Sequence, residues 1–362
     1  MISGFWQALP RPIWALAPLA NVTDAAFRQI IAKYGKPDVM FTEFTSADGL
    51  LSAGREKLLI DLQYTEAERP IVAQIFGAKP ENFYRVALLL QERKFDGIDL
   101  NLGCPDKNVL KQGAGGALIE QPTLAQEIIA ATKRGAGPLP VSIKTRLGRR
   151  RDQLDEWLPY LLEAEPAAIT IHARTCRELS RVPARWERVA EAVAIRDRYD
   201  ASPHRTLIIG NGDIKTIAEG RQKIAATGAD GVMIGRGIFG NPWLFANCHT
   251  KEVAQQSVYH DRATELEMTG LETTPTVAEK LRVMVEHTKL FEELLGNDKN
   301  FDLMKKHYQA YANGFPGAKE LRIKLMTGAE DAEAVENIVE EFVDQLTILP
   351  AHPESRGIPP PI

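Results

Sequence analysis

The chain is 362 residues long, 44% hydrophobic and 25% charged, with a formal net charge of -4. This composition excludes disordered and fibrous classes, and without an apolar run of about 18 residues or a leader segment it implies a soluble cytoplasmic protein with no membrane partner. The acidic balance weighs against nucleic acid as a partner, although a whole-chain sum hides any local basic surface.

Eight short apolar runs rich in β-branched residues occupy 13–17, 38–43, 71–76, 95–101, 141–146, 168–172, 206–209 and 231–234. Between them, stretches such as 80–93, 124–134 and 215–226 carry apolar residues at helical spacing. Eight strand–helix units predict a (β/α)8 TIM barrel over 1–249, an α/β architecture. Barrel enzymes keep their sites at the C-terminal strand ends, and nearly every run here ends in a polar or special residue. These are Pro18, Glu43, Gln74, Asn101 with Cys104, Lys144, His172, Asn211, and Gly235 with Arg236. Cys104 follows Asn101-Leu102-Gly103 and precedes Pro105, so a sharp turn that cannot extend the strand presents the thiol in a loop. Cys176 and Cys248 are distant and no C-x-x-C pair occurs, which excludes a disulfide framework and a structural zinc site; no metal is expected.

After the last two strands, Gly210-Asn211-Gly212-Asp213 leads into a helix and Gly235-Arg236-Gly237 forms a second loop. Glycines there let backbone N–H groups approach an anion, at the place where barrels favour phosphate, and Arg236 adds a charged fork. A phosphate at this rim, together with Lys144 and His172, points to flavin mononucleotide. Lys144 would offset negative charge on the ring, while Gln74 and His172 would hydrogen-bond ring or ribityl atoms. No G-x-G-x-x-G follows an early strand, so no Rossmann site is required.

Residues 250–274 read as a polar linker, and 275–349 as a small C-terminal all-α helical bundle. Pro275 opens its first helical pattern, with Thr274 or Thr276 as the cap. Lys305, Lys306, Lys319, Arg322 and Lys324 form a basic segment within it, and 350–362 is a proline-rich tail.

Taken in order, the motifs resemble the tRNA-dihydrouridine synthase family. The resemblance rests on residues 17–28 (APLANVTDAAFR), Gln74-Ile75-Phe76-Gly77, 97–105 (GIDLNLGCP) and 113–118 (GAGGAL). Further on it includes His172-Ala173-Arg174-Thr175, Asn211-Gly212-Asp213, 231–237 (GVMIGRG), Asn241-Pro242-Trp243 and Gly314-Phe315-Pro316-Gly317-Ala318. It implies an oxidoreductase acting on a CH–CH group, in which NADPH reduces FMN and a uridine in tRNA becomes 5,6-dihydrouridine. Pro18, Leu19, Ala20, Gln74, Lys144, His172, Asn211, Gly212, Asp213, Gly235 and Arg236 would surround FMN. Hydride would add to uracil C6 and Cys104 would give the proton to C5, which suits a thiol pKa of about 8.5 or higher. The uridine would be flipped out, with Asn101 and Arg174 on its polar edge and Lys107 and Lys111 on phosphate. The helical domain would hold the tRNA, and no obligate protein partner is implied.

Departures from the family pattern lie at Ala173, at Cys176-Arg177-Glu178-Leu179-Ser180-Arg181, and at Lys107-Asn108-Val109. Two alternatives stand beside this reading: an FMN-dependent reductase of a free pyrimidine, resembling dihydroorotate dehydrogenase, and a non-catalytic RNA-binding protein on the same scaffold. The C-terminal bundle separates the first from the family reading, and Cys104, Lys144 and His172 together weigh against the second.

Overall fold

Strands buried on both faces form the centre of the first unit, as a parallel sheet covered by helices requires. In chain order they are β1 (Ile13–Leu16), β2 (Met40–Phe41), β3 (Thr45–Ser46), β4 (Ile71–Phe76), β5 (Gly97–Leu102), β6 (Val141–Arg146), β7 (Ala168–His172), β8 (Leu207–Asn211) and β9 (Gly231–Ile234). These belong to a computed structural model that describes residues 4–199, 205–250 and 275–348. The chain divides into two compact units, Met1–Thr250 and Lys251–Ile362. Of the expected linker, 251–274 lies outside the described residues, as does the tail 350–362.

The sheet runs β1-β9-β8-β7-β6-β5-β4-β2, with β3 also on β4. Every pairing is parallel. A bridge between Ala15 and Val39 closes the barrel. The register sets Gln74 beside Asp99, Asn101 beside Lys144, Arg146 beside His172, and His172 beside Asn211. Polar rim residues from neighbouring strands therefore meet at one level.

The expected second run, 38–43, is not one strand. Only Met40–Phe41 pairs with β4, and the chain rejoins it at Thr45–Ser46. In between, Thr42 N still donates to Val72 O at 3.0 Å, but Gln74 N donates to Thr42 Oγ1 at 3.1 Å in place of a backbone carbonyl, and the Glu43 carboxylate turns to Asn21 N in the loop after β1. The barrel interior is filled from below by Trp6, Phe41, Val72, Ile209 and Met233, leaving space only beyond the C-terminal strand ends. Outside, helices Pro80–Glu92 and Pro122–Ala136 each place proline in the first turn. They pack so closely that a Cβ at Gly135 would lie 2.3 Å from Tyr84 O.

The second unit contains, among the described residues, helices Val277–Leu295, Lys305–Tyr311, Ala318–Gly328 and Ala332–Ile348. Thr276 caps the first in a reciprocal box with Glu279, so Pro275 stands outside the helix and not in its first turn. Leu281, Met284, Phe291, Met304, Tyr308, Leu321 and Leu325 fill the interior. There the buried rings of His287 and His307 meet edge to face, with centroids 4.7 Å apart. Part of the basic segment is engaged internally: Lys324 pairs with Glu341 at 2.9 Å, and Arg322 donates to Ala312 O at 2.6 Å. No helix among the described residues is long and apolar enough to cross a membrane.

Candidate active site

A cavity of about 950 Å³ opens at the C-terminal ends of the strands. Its wall gathers Pro18, Leu19 and Ala20 after β1, Gln74 of β4, Asn101 and Cys104 around the end of β5, and Lys144 of β6. From the other side come His172, Arg174, Asn211, Gly212, Asp213, Gly235 and Arg236. Lys107 and Lys111 are absent from this wall; they are exposed on a short helix, Lys107–Lys111, in what reads as a loop from sequence alone.

A chain of hydrogen bonds of fixed polarity leads to Cys104. Asp99 is buried and accepts from Ser142 Oγ and from Gln74 Nε2, both at 2.6 Å. A carboxylate only accepts, so the Gln74 amide must present its nitrogen there, which turns Oε1 toward Asn101 Nδ2 at 3.1 Å. Asn101 Oδ1 is then left to accept from the backbone amides of Gly103 (3.2 Å) and Cys104 (2.9 Å). The buried carboxyl of Asp99 thus determines how the thiol's loop is held. Burial pushes its pKa up to about 6, against the hydrogen bonds from Ser142 and Gln74.

On the facing strands, Lys144 Nζ donates to Asn211 Oδ1 at 3.2 Å, and Asn211 Nδ2 donates to Met233 O at 2.8 Å. Burial, with Arg146 acting in the same direction, lowers the lysine to about 8, which leaves it mostly charged at neutral pH. His172 lies next to Lys144, Arg146, Arg174 and Arg236, and burial with these four charges holds its imidazole far below the usual histidine range. Arg174 Nη1 lies 3.1 Å from His172 Nε2. A guanidinium only donates, so Nε2 accepts and the ring proton sits on Nδ1. Arg174 is buried and held at three of its five N–H groups: besides Nη1, Nε donates to Val182 O at 2.6 Å and Nη2 to Asp213, which also accepts from Arg236 at 3.3 Å.

Cys104 is partly exposed, and burial, assisted by the Asp106 carboxylate, raises its thiol above the ordinary value. The loops after β8 and β9 touch at backbone distance: a Cβ at Gly237 would lie 2.5 Å from Ile214 O, and Gly212 has φ +131. Together they make a concave strip of peptide edged by Arg236.

Sequence reading missed two members of the site. Arg146 lines the cavity, and its Nη1 holds the carbonyls of Thr175 and Leu179, each at 3.0 Å. Asp99 anchors the chain that leads to Cys104. Each lies two positions from a residue already singled out, Lys144 and Asn101, and the two-residue period of a strand puts such neighbours on one face.

The model of the family described as Dihydrouridine synthase (Dus) matches residues 15–347. A probable tRNA-dihydrouridine synthase of Staphylococcus aureus (strain MRSA252) is 39% identical over 96% of this chain and 98% of its own length. Probable tRNA-dihydrouridine synthase 2 of Bacillus subtilis (strain 168) is 38% identical over 94% of this chain and 97% of its own. Among solved structures, morphinone reductase in complex with tetrahydroNAD has a TM-score of 0.46 and 16% identity, covering 67% of this chain and 88% of that one, a likeness too distant to bear on fold or chemistry. With the family match spanning most of both units and relatives aligned over nearly their whole length, this chain belongs to the dihydrouridine synthase family.

Proposed function

We propose that the protein reduces the C5–C6 double bond of a uridine in tRNA to 5,6-dihydrouridine, with FMN as bound cofactor and NADPH as its reductant. The observation that carries this reading is that Cys104, Lys144 and His172 share one cavity wall, where burial favours the thiol form of the cysteine and the neutral form of the histidine.

The donor set suits a phosphorylated flavin. The concave glycine strip and Arg236 would take the phosphate, and Pro18, Leu19, Ala20 and Gln74 would border the ring. Lys144 and His172 Nδ1–H would meet its acceptor atoms, with Asn211, Gly212 and Asp213 beside them. When bound and reduced, the flavin supplies the hydride that uracil C6 accepts. The Cys104 Sγ–H delivers the proton to C5, and a raised pKa serves this role because the thiol, not the thiolate, holds that proton.

Asn101 fixes the thiol's loop through Oδ1 and has a second Nδ2 hydrogen to offer the polar edge of the base. Arg174, which lines the cavity, orients His172 and keeps two N–H hydrogens beyond its three protein partners, would meet the polar edge of the base beside Asn101. A base within folded RNA reaches such a cavity only after leaving its stack. Lys107 and Lys111 are exposed and would meet phosphates, and the helical unit would hold the body of the tRNA.

The purified protein is expected to show flavin absorbance and, with NADPH, to form dihydrouridine in tRNA taken from cells that lack it. A colourless protein that quenches no fluorescence of added FMN would contradict the cofactor. Reduction of free pyrimidines without reduction of tRNA would contradict the substrate.

A further inference from the structure

The loops that follow β6 and β7 are joined along their backbones. Leu147 N donates to Arg174 O at 3.1 Å, Cys176 N to Gly148 O at 2.9 Å, and Arg177 N to Arg149 O at 3.0 Å. The strand pairing thereby continues past the barrel as one rim beside the cavity, whose wall includes Arg146, Arg174 and Ser180. Arg146 Nη1 fastens the turn from below through Thr175 O and Leu179 O, and Arg181 N closes it on Glu178 O at 3.0 Å.

Between positions 146 and 188 the chain places nine arginines. Nearby acids are taken by some of them. Arg149 pairs with Glu120, Arg151 with Glu156 at 2.8 Å, and Arg185 with Glu178 through two bonds of 2.9 Å. Arg188 holds Asp152 at 3.0 Å and Asp155 at 2.8 Å. Arg146 and Arg174 are buried. Arg150, Arg177 and Arg181 remain, all exposed and, among the described residues, without an ion pair or side-chain hydrogen bond. A surface that neutralises its own acids and still presents three guanidiniums on a fixed backbone is matched to a repeating anion.

We propose that Arg150, Arg177 and Arg181 form a phosphate-binding rim that grips the RNA backbone flanking the base that enters the cavity. This rests on the reading of the cavity as a uridine site, since the phosphates on either side of an extruded nucleotide must pass over its edge. Contacts of this kind fix register and orientation without reading sequence. The rim therefore contributes affinity and placement, and leaves the choice of base to the cavity.

The test is tRNA affinity against salt for the full chain and the triple variant R150Q/R177Q/R181Q, with R85Q/R134Q/R198Q removing equal charge from exposed helix positions elsewhere. Flavin content, which none of the rim residues touches, reports that the barrel has folded. Loss of three phosphate contacts should flatten the slope of log K against log salt by about 2, or roughly 100-fold weaker binding at ~0.1 M salt relative to ~1 M. The control variant should keep the slope of the unmodified protein. A rim variant with an unchanged slope, or a control variant with an equal loss, would overturn the rim while tRNA reduction by the unmodified protein stands. An unmodified protein that neither binds nor reduces tRNA would overturn the uridine reading itself.

Discussion

A single acceptor-only group, Asp99, orients two amides whose ends could otherwise exchange, and it is also the negative charge that helps keep Lys144 protonated. Asp99→Asn should loosen both effects. An asparagine can offer either end to Gln74, so Asn101 Oδ1 is no longer held toward Cys104 N, and Lys144 titrates lower without the carboxylate. The expected outcome is retained flavin, roughly tenfold slower dihydrouridine formation, and activity that falls away at a lower pH than in the unmodified protein. A pH–rate profile of unaltered shape would remove Asp99 from this role. Cys104, Lys144, His172 and Asn211 were legible in the sequence because each lies near the C-terminal end of an apolar run, where a barrel places its chemistry. The amide orientations and the three partners of Arg174 were not, because they depend on which donors and acceptors the fold sets opposite one another.

Among the elements, helices Val277–Leu295 and Lys305–Tyr311 carry the clearest pH dependence. His287 and His307 lie in their shared interior, and burial lowers His287 to about 3 and His307 well below the usual range. Below about pH 6.5 the unfolded segments bind protons that the folded ones do not, so stability is complete above that value and declines as pH falls toward 3. Each ring contributes a slope of up to about 1.4 kcal/mol per pH unit. Hydrogen-exchange protection of both helices, corrected for intrinsic rates, should drop between about pH 7 and pH 5; constant protection would show that the rings take up protons equally in the folded and unfolded states. The start of the first helix was readable to within two residues, since Thr276-Val277-Ala278-Glu279 spells its capping box. The break at Thr42–Phe44 was not, because an apolar run does not disclose that the Thr42 hydroxyl will replace a backbone partner.

At the scale of the molecule, the order of eight apolar runs was enough to anticipate a closed barrel, which the structure realises with nine strands among the described residues. The net charge of -4 was a poor guide to partners, because arginines at the barrel rim outnumber the acids they neutralise while the excess acid lies elsewhere. The reaction proposed for this molecule depends on a thiol whose only chemical duty is to hand over a proton, so hydride supply and proton supply should separate in one variant. Cys104→Ala, assayed for flavin content, for flavin reduction by NADPH and for dihydrouridine in tRNA, measures this directly. The expected result is bound flavin, undiminished flavin reduction and no dihydrouridine, whereas normal tRNA turnover by the variant would contradict the assignment of Cys104 as the acid.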